Sequence, residues 1–195
     1  MTCKTHIAVA NAVNLLLFNP TSTRELAILI GATTLGSVIC DLDIVTSDSH
    51  KYVDYLVLGV SLVVFGLLIL EIYTSIGLLT YLKSKTTLFQ FLVSFIAFLL
   101  TCFYGMHQPH RSFMHSVLGT IVLSTILYIP FKNVAFIFSL GMLSHIILDM
   151  LNKKGIAVFY PLKDRFCLKL CSSDKLANNV IFVVSTISII YLLFI

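Results

Sequence analysis

Most of the chemistry open to this chain lies in its histidines and a few aspartates. The stretch SHIILDMLN places His145 and Asp149 four residues apart, on one face if the stretch is helical. An imidazole and a carboxylate at that spacing can grip one metal ion, or they can pair with each other across a helix contact. The stretch CDLDIVTS offers Asp41 and Asp43. Alternate residues of an extended segment point the same way, and two carboxylates held together repel unless a cation lies between them or one is protonated. The other reading is a solvated loop at a helix C-terminus, where the dipole disfavours aspartate. HQPHRSFMHS adds His110 and His115, which can converge from a loop and a first helical turn. It also adds Arg111, whose planar fork suits phosphate or carboxylate. These three could equally be interfacial side chains reaching toward headgroups. His6 stands alone in KTHIAVA, and His50 and His107 have no carboxylate at a fixed spacing.

The elements that must position these residues follow from composition. The chain has 195 residues, 58% of them apolar and 11% charged, and its mean hydropathy is +0.99. A soluble domain carries about 25% charged residues, so a water-soluble enzyme is excluded. Residues 55–82 hold one charge, Glu71, and residues 88–105 and 176–195 hold none. Residues 112–131 and 133–148 are broken only by His115 and His145. A spanning helix needs roughly 20 mostly apolar residues, and lipid forces the backbone of such a segment into a helix. The expectation is an all-α, polytopic transmembrane helical bundle of about five to seven membrane helices. It would form one integral-membrane domain over residues 1–195.

Helices are expected near 7–18, 24–40, 55–82, 88–105, 112–129, 134–151 and 176–195. The first two are short for a span and read as a hairpin that dips into the bilayer or packs inside the bundle. The third is long and must tilt, or bend near Gly77. STRE (Ser22 to Glu25) is a capping-box pattern that starts the second. The N-terminus lacks a clustered basic region and a small-residue cleavage site, so its apolar stretch is expected to be retained. Cys3, Cys40, Cys102, Cys167 and Cys171 lack metal-type spacing and read as free thiols.

If the chain changes sides at each helix, every histidine falls on one side, together with Asp41, Asp43 and Asp149. The other side has Asn19-Pro20, the Lys83/Lys85 turn and Pro130 to Lys132. Nine of the thirteen basic residues lie on the histidine side, which puts that side in the cytoplasm. The net charge of +4 is spread along the chain, and no basic stripe suggests nucleic acid. His6, His110, His115 and His145 would then gather with Asp41, Asp43 and Asp149 at one end of the bundle. Nitrogen and carboxylate ligands without cysteine suit zinc, with manganese or iron as alternatives. Seven candidates are enough for two ions per chain, or three, and such a site points to metal-assisted hydrolysis.

The motifs, taken in order, resemble the YdjM-like family. They are Thr5-His6, Asp41-Leu42-Asp43 with Ser47, His110-Arg111 with His115-Ser116, Gly141 with Ser144-His145 and Asp149, then Gly155 and Tyr160-Pro161. That family comprises inner-membrane proteins regarded as metal-dependent hydrolases, one described as LexA-binding. It is grouped with zinc-dependent phospholipases C and single-strand nucleases. Cys40 and Ile44 stand where the family often has Pro and His, and Ser112 and Met114 where it prefers Gly and Thr.

The resemblance implies phosphoester hydrolysis, although a substrate does not transfer with a fold. The resulting expectation is a multi-pass protein of the inner (cytoplasmic) membrane that hydrolyses a lipid headgroup or another lipid-linked phosphoester. The seven His and Asp residues would hold the divalent ions. Asp43, His115 and Arg111 would act on the substrate, Arg111 through the phosphate. Ser47, Ser116 and Asn152 would support the ligands. No nucleic-acid partner is expected, and a protein regulator is left open. The alternatives are a non-catalytic membrane regulator or scaffold with a structural or sensing metal and, last, a transporter. The transporter ranks last because Glu71 is the one carboxylate deep in an expected helix.

Overall fold

The computed structural model describes residues 2–44, 86–170 and 175–194. The expected helix 55–82 with Glu71 and Gly77, the Lys83/Lys85 turn, and Ser47, His50 and Cys171 lie outside the described residues. Among the described residues the secondary structure is helical, apart from isolated backbone bridging at Asn152 and between Ile156 and Phe166. The α-helices are α1 (Cys3–Phe18), α2 (Thr23–Ile39), α3 (Thr86–Met106), α4 (Val117–Tyr128), α5 (Lys132–Met150) and α6 (Lys175–Phe194). Short 3-10 segments extend α2, at Cys40–Asp43, and precede α4, at Phe113–His115.

Two of the helix starts have a clear local cause. Ser22 caps α2 by accepting from the Glu25 N–H at 3.2 Å. The return half of the expected box lands one residue early. Glu25 Oε2 accepts from the N–H and Oγ1 of Thr21 instead of the Ser22 N–H. Ser116 caps α4 by accepting from the Gly119 N–H at 3.0 Å. That cap corrects the expected helix at 112–129. Its first five residues are turn and 3-10 structure, and His115 precedes the helix instead of sitting in its first turn. The 12 residues of α4 rise about 18 Å, short of the roughly 30 Å hydrocarbon core. In the other direction, α2 with its 3-10 extension is longer than expected. Thr23–Asp43 joins Leu88–Met106, Lys132–Met150 and Leu176–Phe194 as helices long and apolar enough to cross a membrane. α1 stays short, at 16 residues.

α2 and α5 form the central pair, α1 packs on both and carries α6 on its other flank, and α4 lies along α5. The crossing of α2 and α5 brings backbone against backbone. A Cβ on Gly36 would meet the Phe138 carbonyl oxygen at 2.2 Å, and one on Gly141 would meet that of Thr33 at 2.6 Å. Only glycine fits at either position. Below the polar end sits an apolar cluster containing Cys40, Leu42, Met106, Met114, Phe138 and Met142. A second, smaller cluster includes Leu15, Leu29, Ala32 and Ile137. Cys3, Cys40, Cys102 and Cys167 are free thiols.

Candidate metal centre

Four separate parts of the chain deliver the polar end. His6 comes from the first turn of α1. Asp41 and Asp43 come from the 3-10 turn that closes α2. His110, Arg111 and His115 come from the connection between α3 and α4, and His145 and Asp149 from the last two turns of α5. The seven expected ligands converge, because ion-pair contacts link all of them across these elements. His107 stays outside. It is exposed, with its ring against Phe103 and Nδ1 on the Phe103 carbonyl oxygen.

The expectation that Asp41 and Asp43 point the same way is corrected by the 3-10 turn. At about three residues per turn, positions i and i+2 point about 120° apart. The two carboxylates therefore straddle His115. Asp41 Oδ1 lies 3.9 Å from Nε2, and Asp43 Oδ2 lies 3.3 Å from Nδ1. Asp43 is also held by the connection between α3 and α4. His110 Nδ1 lies 2.8 Å from Oδ1, and the Arg111 N–H donates to Oδ2 at 2.9 Å. Arg111 makes that bond with φ at 64°, a conformation rare for a residue with a side chain and common at functional sites.

The tautomer of His145 is set by one contact. Nδ1 lies 2.6 Å from the Ser37 carbonyl oxygen, which can only accept. Nδ1 therefore carries the proton, and Nε2 presents its lone pair to the cluster. Ser37 lies in the last turn of α2, where carbonyls lose their helical partners. The Gly36/Gly141 crossing brings that carbonyl onto α5. Ring stacking between His145 and His6, with centroids 3.8 Å apart, fixes the second imidazole against the first.

Distances inside the cluster are too long for good hydrogen bonds and suit a shared ion. His6 Nε2 to Asp149 Oδ1 is 3.5 Å, His115 Nε2 to Asp149 Oδ2 is 3.6 Å, and His145 Nε2 to Asp41 Oδ1 is 3.6 Å. Ligand atoms about 2.1 Å from a tetrahedral ion stand about 3.4 Å apart. Among the described residues, His145 Nε2 and both ring nitrogens of His115 are buried without a hydrogen-bond partner, and the 3.3 Å contact of His115 Nδ1 with Asp43 is close but poorly aligned. Buried polar atoms are normally satisfied, and a cation would satisfy His145 Nε2 and His115 Nε2, leaving the His115 Nδ1–H to face Asp43. Two triples meet the spacing a metal needs, His6/His145/Asp149 and Asp41/His115/His145. They share His145, and one nitrogen lone pair serves one ion. Charge agrees with the spacing. Asp41, Asp43 and Asp149 crowd here, and among the described residues Arg111 is the guanidinium paired with them. With neutral imidazoles the carboxylates exceed it by two, which a divalent ion balances.

The remaining expected residues take distinct places. Arg111 Nη2 lies 3.1 Å from Asp149 Oδ2 and Nη1 donates to the Lys154 carbonyl oxygen at 2.7 Å. Its Nε is buried without a hydrogen-bond partner among the described residues. Asn152 Nδ2 donates to Asp149 Oδ1 over 3.4 Å. Asp149 sits at the dipole-disfavoured end of α5, so these donors offset a real cost. Ser116 spends its hydroxyl on the α4 cap and on the Phe113 carbonyl oxygen. The carbonyls of Ser37 and Lys154 are invisible to a reading of residue types, because any residue can supply them. Gly36, beside the last turn of α2, was the available signal for the first.

Helices able to cross a membrane, closed at one end by a buried His/Asp cluster, define an integral membrane protein with a candidate metal centre. Within that class the chain belongs to the YdjM inner membrane protein family, whose pattern matches residues 1–195. It is also similar to YvsG of Bacillus subtilis (strain 168), itself described as an uncharacterized protein, with 41% identity over 54 residues. That match covers 27% of this chain and about a third of YvsG. No solved structure matches the chain.

Proposed function

We propose that the protein is a multi-pass membrane hydrolase whose His/Asp cluster holds divalent metal and cleaves a phosphoester of a lipid or lipid-linked substrate. The observation that carries this reading is the set of buried imidazole nitrogens, unpartnered among the described residues, at ligand-to-ligand spacing from two carboxylates. Zinc fits the ligand set best. When bound, such an ion supplies Lewis acidity and a water acidic enough to lose a proton near neutral pH.

The chain's own groups do the rest. His6, His115, His145, Asp41 and Asp149 hold the ion. Asp43 faces Nδ1 of His115 and so orients that ring, an outer role that sharpens ligand geometry. His110, with a side chain 46% exposed, connects Asp43 to the outside and can pass a proton along that contact. Arg111 steadies Asp149, and its free Nε–H can donate to an anionic oxygen. Asp41 is the most open of the five ligands, at 23% side-chain exposure, so substrate approaches from its side. The basic residues on the cluster side support a cytoplasmic placement.

The test is turnover. Purified protein in lipid nanodiscs with zinc should release headgroup or phosphate from at least one class of phospholipid or lipid-linked phosphoester. Asp149→Asn should lower the rate at least about a hundredfold while the protein stays folded. A second reading, a metal that only staples the bundle, is favoured by the complete burial of His115 and His145. It expects no turnover from any loaded sample, and an Asp149→Asn protein that unfolds.

A further inference from the structure

Beyond α5 the chain forms a lobe at the cluster end of the bundle, with the sequence FYPLKDRFCLKL at 159–170. Phe159, Leu162, Phe166, Leu168 and Leu170 are 41–71% exposed. Exposed Lys163, Arg165 and Lys169 interleave with them, against one carboxylate, Asp164. A loop of this composition would be unremarkable if its backbone were loose, but it is pinned. Ile156 and Phe166 exchange both backbone hydrogen bonds, at 3.1 and 2.9 Å, and the Leu168 N–H donates to the Met150 carbonyl oxygen at 2.7 Å. The Ala157 N–H donates to the Arg111 carbonyl oxygen at 2.9 Å, and the Val117 N–H to that of Val158 at 2.9 Å. Tyr160 reaches the Tyr104 hydroxyl at 2.8 Å. The apolar side chains are therefore held outward by a fixed frame, at the level where the helices end.

Five large apolar groups held in water would be an unusual patch. At the edge of a membrane bundle they have a natural medium. Apolar side chains sink a few ångströms below the headgroups, while lysine and arginine stems reach lipid phosphates. The excess of cations selects the sign of the lipid, since anionic headgroups attract basic segments near the surface. Lys153 and Lys154, also exposed at this end, add to the same field.

We propose that residues 159–170 form an interfacial lobe seated in a layer of anionic phospholipid headgroups. The apolar side chains insert, and Lys163, Arg165 and Lys169 bind the phosphates. The lobe thereby enriches anionic lipid beside the candidate metal centre. This inference rests on the membrane bundle and not on catalysis, so it stands or falls independently of the proposed hydrolase activity.

The chain contains no tryptophan, which makes the test clean. Single Phe159→Trp and Leu162→Trp variants of the full chain are reconstituted in lipid vesicles of mixed phosphatidylcholine and phosphatidylglycerol. Bromine is carried on one lipid or on the other. Both reporters should show blue-shifted emission and bromine quenching, with at least about twofold more quenching from the anionic lipid. Adding Lys163→Gln, Arg165→Gln and Lys169→Gln should at least halve the preference for the anionic lipid. These are surface changes, so the protein should elute unchanged from a sizing column. Three results would overturn the proposal. Water-like emission places the lobe in solvent. Blue-shifted emission without quenching means that protein covers it. Equal quenching by both lipids in the unneutralised reporters removes the anionic preference.

Discussion

His145 has the most constrained side chain of the candidate centre. Its Nδ1–H is committed to the Ser37 carbonyl oxygen, so its Nε2 lone pair is available without any proton rearrangement. The bond goes to backbone, and Ser37→Ala should therefore leave metal affinity unchanged. A titration of metal into the stripped variant checks this. Asp43 acts one layer out, with His110 Nδ1, the Arg111 N–H and His115 Nδ1 all within 3.3 Å of its oxygens. Asp43→Asn should keep the fold but weaken metal binding about 10- to 100-fold, the usual cost of losing an orienting carboxylate. A competition assay with a chromogenic chelator reads that change. At this scale the sequence was informative about which side chains gather. Histidine and aspartate are rare in apolar segments, and each one present marks itself. It was uninformative about how the seven divide between holding an ion and orienting the holders. That division depends on ring angles and on the 3-10 turn at Cys40–Asp43, which a pattern of residue types does not encode.

Among the elements, the α2/α5 crossing sets the geometry of the site. Gly36 and Gly141 let the backbones touch, and one turn further on the Ser37 carbonyl meets His145. A methyl group at Gly141 would fall 2.6 Å from the Thr33 carbonyl oxygen, which is backbone and cannot swing away. Gly141→Ala should therefore separate the helices, cost about 1–3 kcal/mol in thermal unfolding and lower metal content in the same sample. Ser22→Ala, at the α2 cap far from the cluster, should cost about 1 kcal/mol and leave metal content alone. The pair of variants separates loss of site geometry from loss of stability. Helix positions were largely legible from apolar runs, and the Ser22 cap from STRE. The start of α4 was not. Residues 112–116 continue into the apolar run of α4 without a charged break, and only the Ser116 cap and the Arg111 backbone show where the helix begins.

Across the whole molecule, the centre exists only when α1, the end of α2, the α3–α4 connection and α5 are assembled. Such a site is absent from the unfolded chain, so bound metal stabilises the fold by mass action. Removing it with a membrane-permeant chelator should lower the melting temperature, and zinc should restore it in a concentration-dependent way. The stabilisation reaches about 2.7 kcal/mol when free metal is 100 times its Kd. Residues as distant as His6 and Asp149 meet at one end, as threading the apolar segments anticipates, while the expected span 55–82 lies outside the described residues. What threading could not supply was depth, because burial of the imidazoles depends on how α1 and α5 stack. The most direct check is elemental analysis of the full chain purified in mild detergent without added metal, beside His145→Ala prepared identically. The wild-type chain should carry at least about one divalent ion, and a folded His145→Ala protein less than about a tenth of that. Equal metal in the two, or none in a folded wild-type protein that also fails to take up zinc, would contradict a metal centre built on His145.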